Sequence, residues 1–238
     1  MTTVATSRLP AIDHARGVAL IGMVAFHLTF DLGFFGFIPP DTVMQPFWMV
    51  FARLVAGSFV VLAGVSLVLA HGNGLRGRAF VRGTATVALA AVLVTAATLV
   101  AIPQGWVFFG ILHMIALGRV LGLPFLRAPA WLLVIAGVAI WAAPYLWQSA
   151  VFDSRALAWV GFAVTQPLSM DLEPVFPWFG PFLLGMAAAR LGLLPTRGIP
   201  GPAGRALAWA GRHSLAIYLI HQPVLLGTLW LITTVLKG

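Results

Sequence analysis

Residues 17–38 read Gly17-Val-Ala-Leu-Ile-Gly-Met-Val-Ala-Phe-His27-Leu-Thr-Phe-Asp31-Leu-Gly-Phe-Phe-Gly-Phe-Ile38. Only His27, Thr29 and Asp31 interrupt a run of apolar and glycine residues. A helix needs about 20 residues to cross a hydrocarbon core roughly 30 Å thick, and this run has that length. Pro39-Pro40 ends it. It is too long for a signal peptide, carries an acid, and is followed by no small-residue cleavage site, so it is expected to be retained as a membrane span.

The rest of the chain follows the same pattern. Of 238 residues, 61% are hydrophobic and 8% charged, with a mean hydropathy of +0.99. A soluble domain is about one quarter charged, and disorder needs low hydrophobicity, so both classes are excluded. Gly/Pro punctuation and apolar length predict spans over 17–38, 47–70, 82–102, 106–125, 129–148, 175–193 and 213–236. The expected fold is all-α, a polytopic membrane helical bundle of about seven transmembrane helices. No segment is long enough for a separate soluble domain, so residues 1–238 read as a single domain.

Charge sets the orientation. Arg8, Arg16, Arg76, Arg78, Arg82, Arg119, Arg127, Arg190, Arg197, Arg205 and Arg212 fall on one side of this arrangement, Arg155 and Lys237 on the other. By the positive-inside rule the Arg-rich side, with the N-terminus, is cytoplasmic. The formal charge of +8 is thereby explained by topology, and no nucleic-acid partner is implied. Trp48, Trp106, Trp147, Trp159 and Trp178 form an aromatic belt at the outer boundary. The long outer segment 149–174 contains the apolar run Ala156–Val164. There is no cysteine, hence no thiolate nucleophile and no Cys metal site.

Polar groups inside spans need a reason, because a charge at mid-bilayer costs roughly 2.5–3.5 kcal/mol on insertion scales. They are His27 and Asp31, Arg53, His113 and Arg119, and His221. His27 and Asp31 are four apart and share a helix face. Asp31 and Arg53 match in depth on consecutive spans, so an Asp31–Arg53 ion pair is the simplest way to neutralise both. Three intramembrane histidines suggest a polar cavity, and a His beside a carboxylate suits general-base chemistry. No i, i+4 His pair exists, so no metal is expected. The Gly-rich basic segment His71–Arg82 reads as a topology-setting loop or as a landing site for a phosphorylated cytoplasmic ligand, with Arg119 and Arg190 nearby. Gly57 and Gly64 suit close helix packing. Three prolines within 174–181 open the sixth span and aim Asp171 and Glu173 outward.

The stretch Asp13-His-Ala-Arg16-Gly17 through Phe26-His27, with ten residues between Arg16 and His27, resembles the opening helix of the transmembrane acyltransferase superfamily. Together with Gly110-Ile-Leu-His113-Met-Ile-Ala, Asp171-x-x-Pro174-x-x-Pro177-Trp178 and Gly211-Arg-His213-Ser-Leu-Ala-Ile-Tyr218-Leu-Ile-His221-Gln-Pro223, it resembles the small bacterial members of the heparan-α-glucosaminide N-acetyltransferase catalytic-domain family, essentially end to end. The resemblance implies an acyltransferase of the bacterial cytoplasmic membrane. Acetyl-CoA would be the donor substrate and a sugar or glycan the acceptor, with no metal. His27 would be the base or a transient acetyl carrier, Asp31 would orient it, and Arg16 would steady the donor. Arg53, His113, Arg119, Asp171 and His221 would line the substrate and CoA sites. One departure is that residues 33–48, the outer loop after the first span, hold no His, where the larger eukaryotic enzyme has its proposed catalytic one.

Two other readings stand beside this one. The histidines and Asp31 could line the path of a small proton-coupled transporter or channel, although no paired discontinuous spans of the transporter kind are visible. The chain could also be a non-catalytic membrane subunit. The short loops leave little room for a large partner outside the bilayer but allow a lipid-facing dimer of two copies.

Overall fold

The computed structural model describes residues 9–237, with the side chain of Lys237 and the whole of Arg8 outside that description. The described residues form helices and loops with no strand. In chain order the helices are α1 (Pro10–Phe34), α2 (Pro46–His71), α3 (Gly77–Ala101), α4 (Ile111–Leu121), α5 (Ala130–Leu146), the single turn α6 (Arg155–Ala158), α7 (Val175–Arg190), α8 (Gly201–Arg212) and α9 (Ser214–Lys237). The chain divides into two compact units. One joins the chain up to Ser58 with the chain from Leu194; the other runs from Phe59 to Leu193.

In the first unit, α1 starts at Pro10, a residue suited to the first helical position because its missing N–H has no partner there anyway. It therefore begins seven residues before the expected start at 17. This lower stretch is covered by α8, which lies where an Arg-bearing inner loop is expected between the last two spans. Gly204, Ala208 and Gly211 form the buried face of α8 at i, i+4 and i+7. The contact is backbone on backbone. A Cβ on Gly17 would run into the carbonyl oxygen and side chain of Leu207, and one on Gly211 into the carbonyl of Asp13. α9 packs along α1 and turns Ile220, Val224, Trp230, Leu231 and Val235 outward, as a lipid-facing helix does.

In the second unit, α5 and α7 are the most closely joined pair, with Gly137 and Gly180 at the crossing. Gly64 abuts the carbonyl of Phe182, and Gly185 abuts that of Val61. The small-residue position on α2 thus serves the close approach expected of Gly64. Phe182, Leu183, Met186, Leu67, Met114 and Leu133 are fully buried around these crossings.

Among the described residues, four helices are long and apolar enough to cross a membrane: Pro10–Phe34, Pro46–His71, Gly77–Ala101 and Ser214–Leu236. The three other expected spans correspond to shorter helices of 11, 17 and 16 residues. The shortest has a specific cause. Residues 106–110, expected within an apolar span, are not helical. Thr98 Oγ1 accepts the N–H of Val107 at 3.0 Å, Thr95 Oγ1 donates to its carbonyl at 2.7 Å, and the carbonyl of Phe109 accepts the N–H of Glu173 at 3.0 Å. Side chains and a neighbouring loop thus take up the hydrogen bonds that a helix would have made, which non-helical backbone requires at membrane depth. The apolar run Ala156–Val164 is likewise tied down, its Trp159 and Val160 carbonyls accepting the N–H groups of Val175 and Phe176 at the start of α7.

Candidate active site

The first unit brings three of the expected site residues together. His27 and Asp31 lie one turn apart on α1, and α9 faces them with Tyr218, His221 and Gln222. The rings of His27 and His221 meet edge to face, with centroids 4.9 Å apart. Asp31 is wholly buried, at 0% exposure, and its Oδ1 accepts the side-chain amide of Gln222 at 2.8 Å. His221 Nδ1 lies 2.6 Å from the carbonyl oxygen of Tyr218. The next residue but one, Pro223, cannot donate to the carbonyl four residues back, so α9 carries a break in its own ladder at this level.

Two expectations are corrected here. Among the described residues no ion pair joins Asp31 to Arg53, which is exposed. Asp31 is buried and Arg53 exposed, and a neutral amide takes the place expected of the guanidinium. Nor does Asp31 orient His27 by a hydrogen bond; its Oδ1 is engaged with Gln222 instead. Gln222 escapes a reading based on charge because an uncharged amide carries no signal there. The available cue is its position beside His221 in an otherwise apolar span.

Arg16 sits nearer the start of α1, its Nη1 3.5 Å from Oδ1 of the buried Asp13. The Asp-x-x-Arg-Gly segment is therefore an i, i+3 ion pair followed by the glycine that admits α8.

His113, Arg119 and Asp171 belong to the second unit, and each has a local task. Asp171 Oδ2 accepts the N–H of Ile111 at 3.0 Å, placing a carboxylate at the positive end of α4. His113 Nδ1 accepts the N–H of Gly110 at 3.2 Å, and its Nε2 lies 3.3 Å from Thr95 Oγ1. Because the Thr95 hydroxyl donates to Val107, it accepts from His113, so both ring nitrogens are satisfied within the fold. Arg119 Nε donates to Thr84 Oγ1 at 2.9 Å, and its guanidinium lies over the Phe80 ring. The Gly-rich segment after α2 borders a cavity of about 310 Å³ lined by His71, Gly72, Gly74, Leu75 and Arg127 with apolar neighbours. His71 is buried, and its Nδ1 accepts the N–H of Arg76 at 3.4 Å. Among the described residues no three His, Asp or Glu side chains are placed to hold a metal.

A family model described as heparan-alpha-glucosaminide N-acetyltransferase, catalytic, matches residues 8–223. The chain belongs to this family. The match takes in Arg16, His27 and Asp31 at one end and His221-Gln222-Pro223 at the other, so both sides of the α1–α9 cluster lie within it. Family membership implies an acyltransferase enzyme, and with the long apolar helices it suggests a multi-pass membrane acetyltransferase. Comparison with curated proteins and with solved structures gave no match.

Proposed function

We propose that this chain moves an acetyl group from cytoplasmic acetyl-CoA to a sugar or other glycan acceptor at mid-membrane or the outer face, and that transfer takes place at the α1–α9 cluster. The observation that carries this reading is Asp31, wholly buried in an apolar helix, bonded to Gln222 and flanked by the His27–His221 ring pair. An ionisable residue at this depth is costly, and by default it marks function.

The reading takes the whole chain as one membrane domain with seven crossings and a cytoplasmic N-terminus, set in a bacterial inner membrane with lipid around it. Its support is the distribution of arginine. Arg16, near the start of α1, would steady the donor, and the inner-side arginines would attract the phosphates of coenzyme A. A thioester needs a positioned acceptor and a base to react, and His27 and His221 supply imidazoles at the cluster. His113, Arg119 and Asp171 serve the fold of the second unit in this reading.

The test is acetyl-CoA binding to the purified full chain, read as a rise in unfolding temperature. The wild type should show a saturable rise that Arg16→Ala loses. His27→Ala should still bind the donor and transfer acetyl more slowly. No rise in folded wild-type protein would overturn the reading and favour proton-coupled uptake through the same polar residues.

A further inference from the structure

Three buried side-chain atoms in the α1–α9 cluster have no hydrogen-bond partner among the described residues: Asp31 Oδ2, His221 Nε2 and Gln222 Oε1. Buried polar atoms are ordinarily paired, so three in one cluster call for an account.

Their chemistry is uniform. Tyr218 offers a carbonyl oxygen to His221 Nδ1 at 2.6 Å. A carbonyl only accepts, so Nδ1 carries the ring proton, and Nε2 of the neutral ring presents its lone pair. Gln222 spends its amide nitrogen on Asp31 Oδ1, which leaves Oε1 as the unused end. Asp31 Oδ2 accepts when the carboxyl is ionised, and in that state all three atoms are acceptors. Phosphates and carboxylates present further acceptors and are repelled by such a set. A hydroxyl or amine presents donors and completes it.

We propose that the cluster binds the acyl acceptor through its hydroxyl or amine hydrogens, and that His221, through Nε2, is the base that removes the proton. The proposal rests on the acetyltransferase reading above. The O–H or N–H proton passes to His221 Nε2 as the oxygen or nitrogen bonds to the thioester carbonyl carbon. The carbon–sulfur bond then breaks, and the departing thiolate takes the proton back from Nε2. The products are an ester or amide and a free thiol, with His221 neutral again. Asp31 and Gln222 position the acceptor, and His27 packs its ring against that of the base. The titratable groups against His221 are His27 from α1 and Tyr218 on its own helix, with Asp31 one turn from His27 and bonded to Gln222.

The experiment uses the full chain in lipid nanodiscs with acetyl-CoA as donor. Three defined acceptors are supplied: D-glucosamine, D-glucose and water, the last read as acetate release. Transfer by the wild type should rise with pH along one limb as the base loses its proton. His221→Asn should lower transfer by about 100-fold or more, the usual scale for a general base, and remove that limb from the residual rate. His27→Gln should be slower but keep the limb. Histidine ¹⁵N NMR of the wild type, with His221 assigned by difference against the His221→Asn protein, should place the proton on Nδ1. A His221→Asn protein that keeps both rate and limb, or a wild-type His221 protonated on Nε2, would overturn the assignment while leaving the acetyltransferase reading in place. A wild type that transfers acetyl to none of the three acceptors would overturn both.

Discussion

Gln222 on the last helix donates its amide to Oδ1 of Asp31 on the first, at 2.8 Å and 191 residues apart in sequence. A buried carboxyl left without a donor costs about 1–3 kcal/mol, whereas removing both members of a pair can be nearly neutral. Gln222→Leu should therefore lower the unfolding temperature, and Asp31→Leu/Gln222→Leu should recover most of the loss. If the double variant unfolds no later than the single one, the two side chains are not coupled.

The α1–α8 seam has no room for a side chain at Gly17, where a Cβ would meet Leu207. Gly17→Ala should cost roughly 1–3 kcal/mol, the range for forcing extra atoms into a close-packed contact. At Gly77, the start of α3, an added methyl would meet nothing within 4 Å, so Gly77→Ala is the matched control and should be neutral. Equal melting of the two variants would sink this account of the seam.

Asp171 is assigned to the start of α4 by its bond to Ile111 N–H. Asp171→Ala should lose about 0.5–2 kcal/mol, the range for a lost helix cap, while Asp171→Asn should keep most of it. Gly110→Ala should resemble Asp171→Ala, because its new methyl would occupy the place of the carboxylate. Chemical or thermal unfolding in detergent ranks the three, and an Asn variant as weak as the Ala one would point away from capping.

His113, Thr95 and Val107 form one hydrogen-bonded chain. Thr95→Val and His113→Ala should each destabilise, and the double variant should cost clearly less than their sum, since either change breaks the same chain. Strict additivity would mean that the two residues act independently.

The long helices are legible in the sequence because the membrane imposes a length, and α1, α2, α3 and α9 meet it. The span expected at α4 comes out shorter because apolar composition cannot register the hydroxyls of Thr95 and Thr98 holding residue 107 out of a helix. α8 is hidden because its buried face is made of Gly204, Ala208 and Gly211, residues that hydropathy scores as weak and glycine content scores as loop. At the site, the i, i+4 spacing of His27 and Asp31 puts both on the correct face. What spacing does not supply is azimuth, so charge alone favours Arg53 as the partner of Asp31 and passes over Gln222, on a helix nearly 200 residues later.

The unit holding the cluster is closed by the two ends of the chain, up to Ser58 and from Leu194. During synthesis α1 is made before α9 and must wait for it. At roughly 5–20 residues per second, the 191 residues between Asp31 and Gln222 take about 10–40 s to appear. Throughout that interval the nascent chain holds its most deeply buried acid without the mate it will finally have. Chains released before α9 emerges keep that acid orphaned.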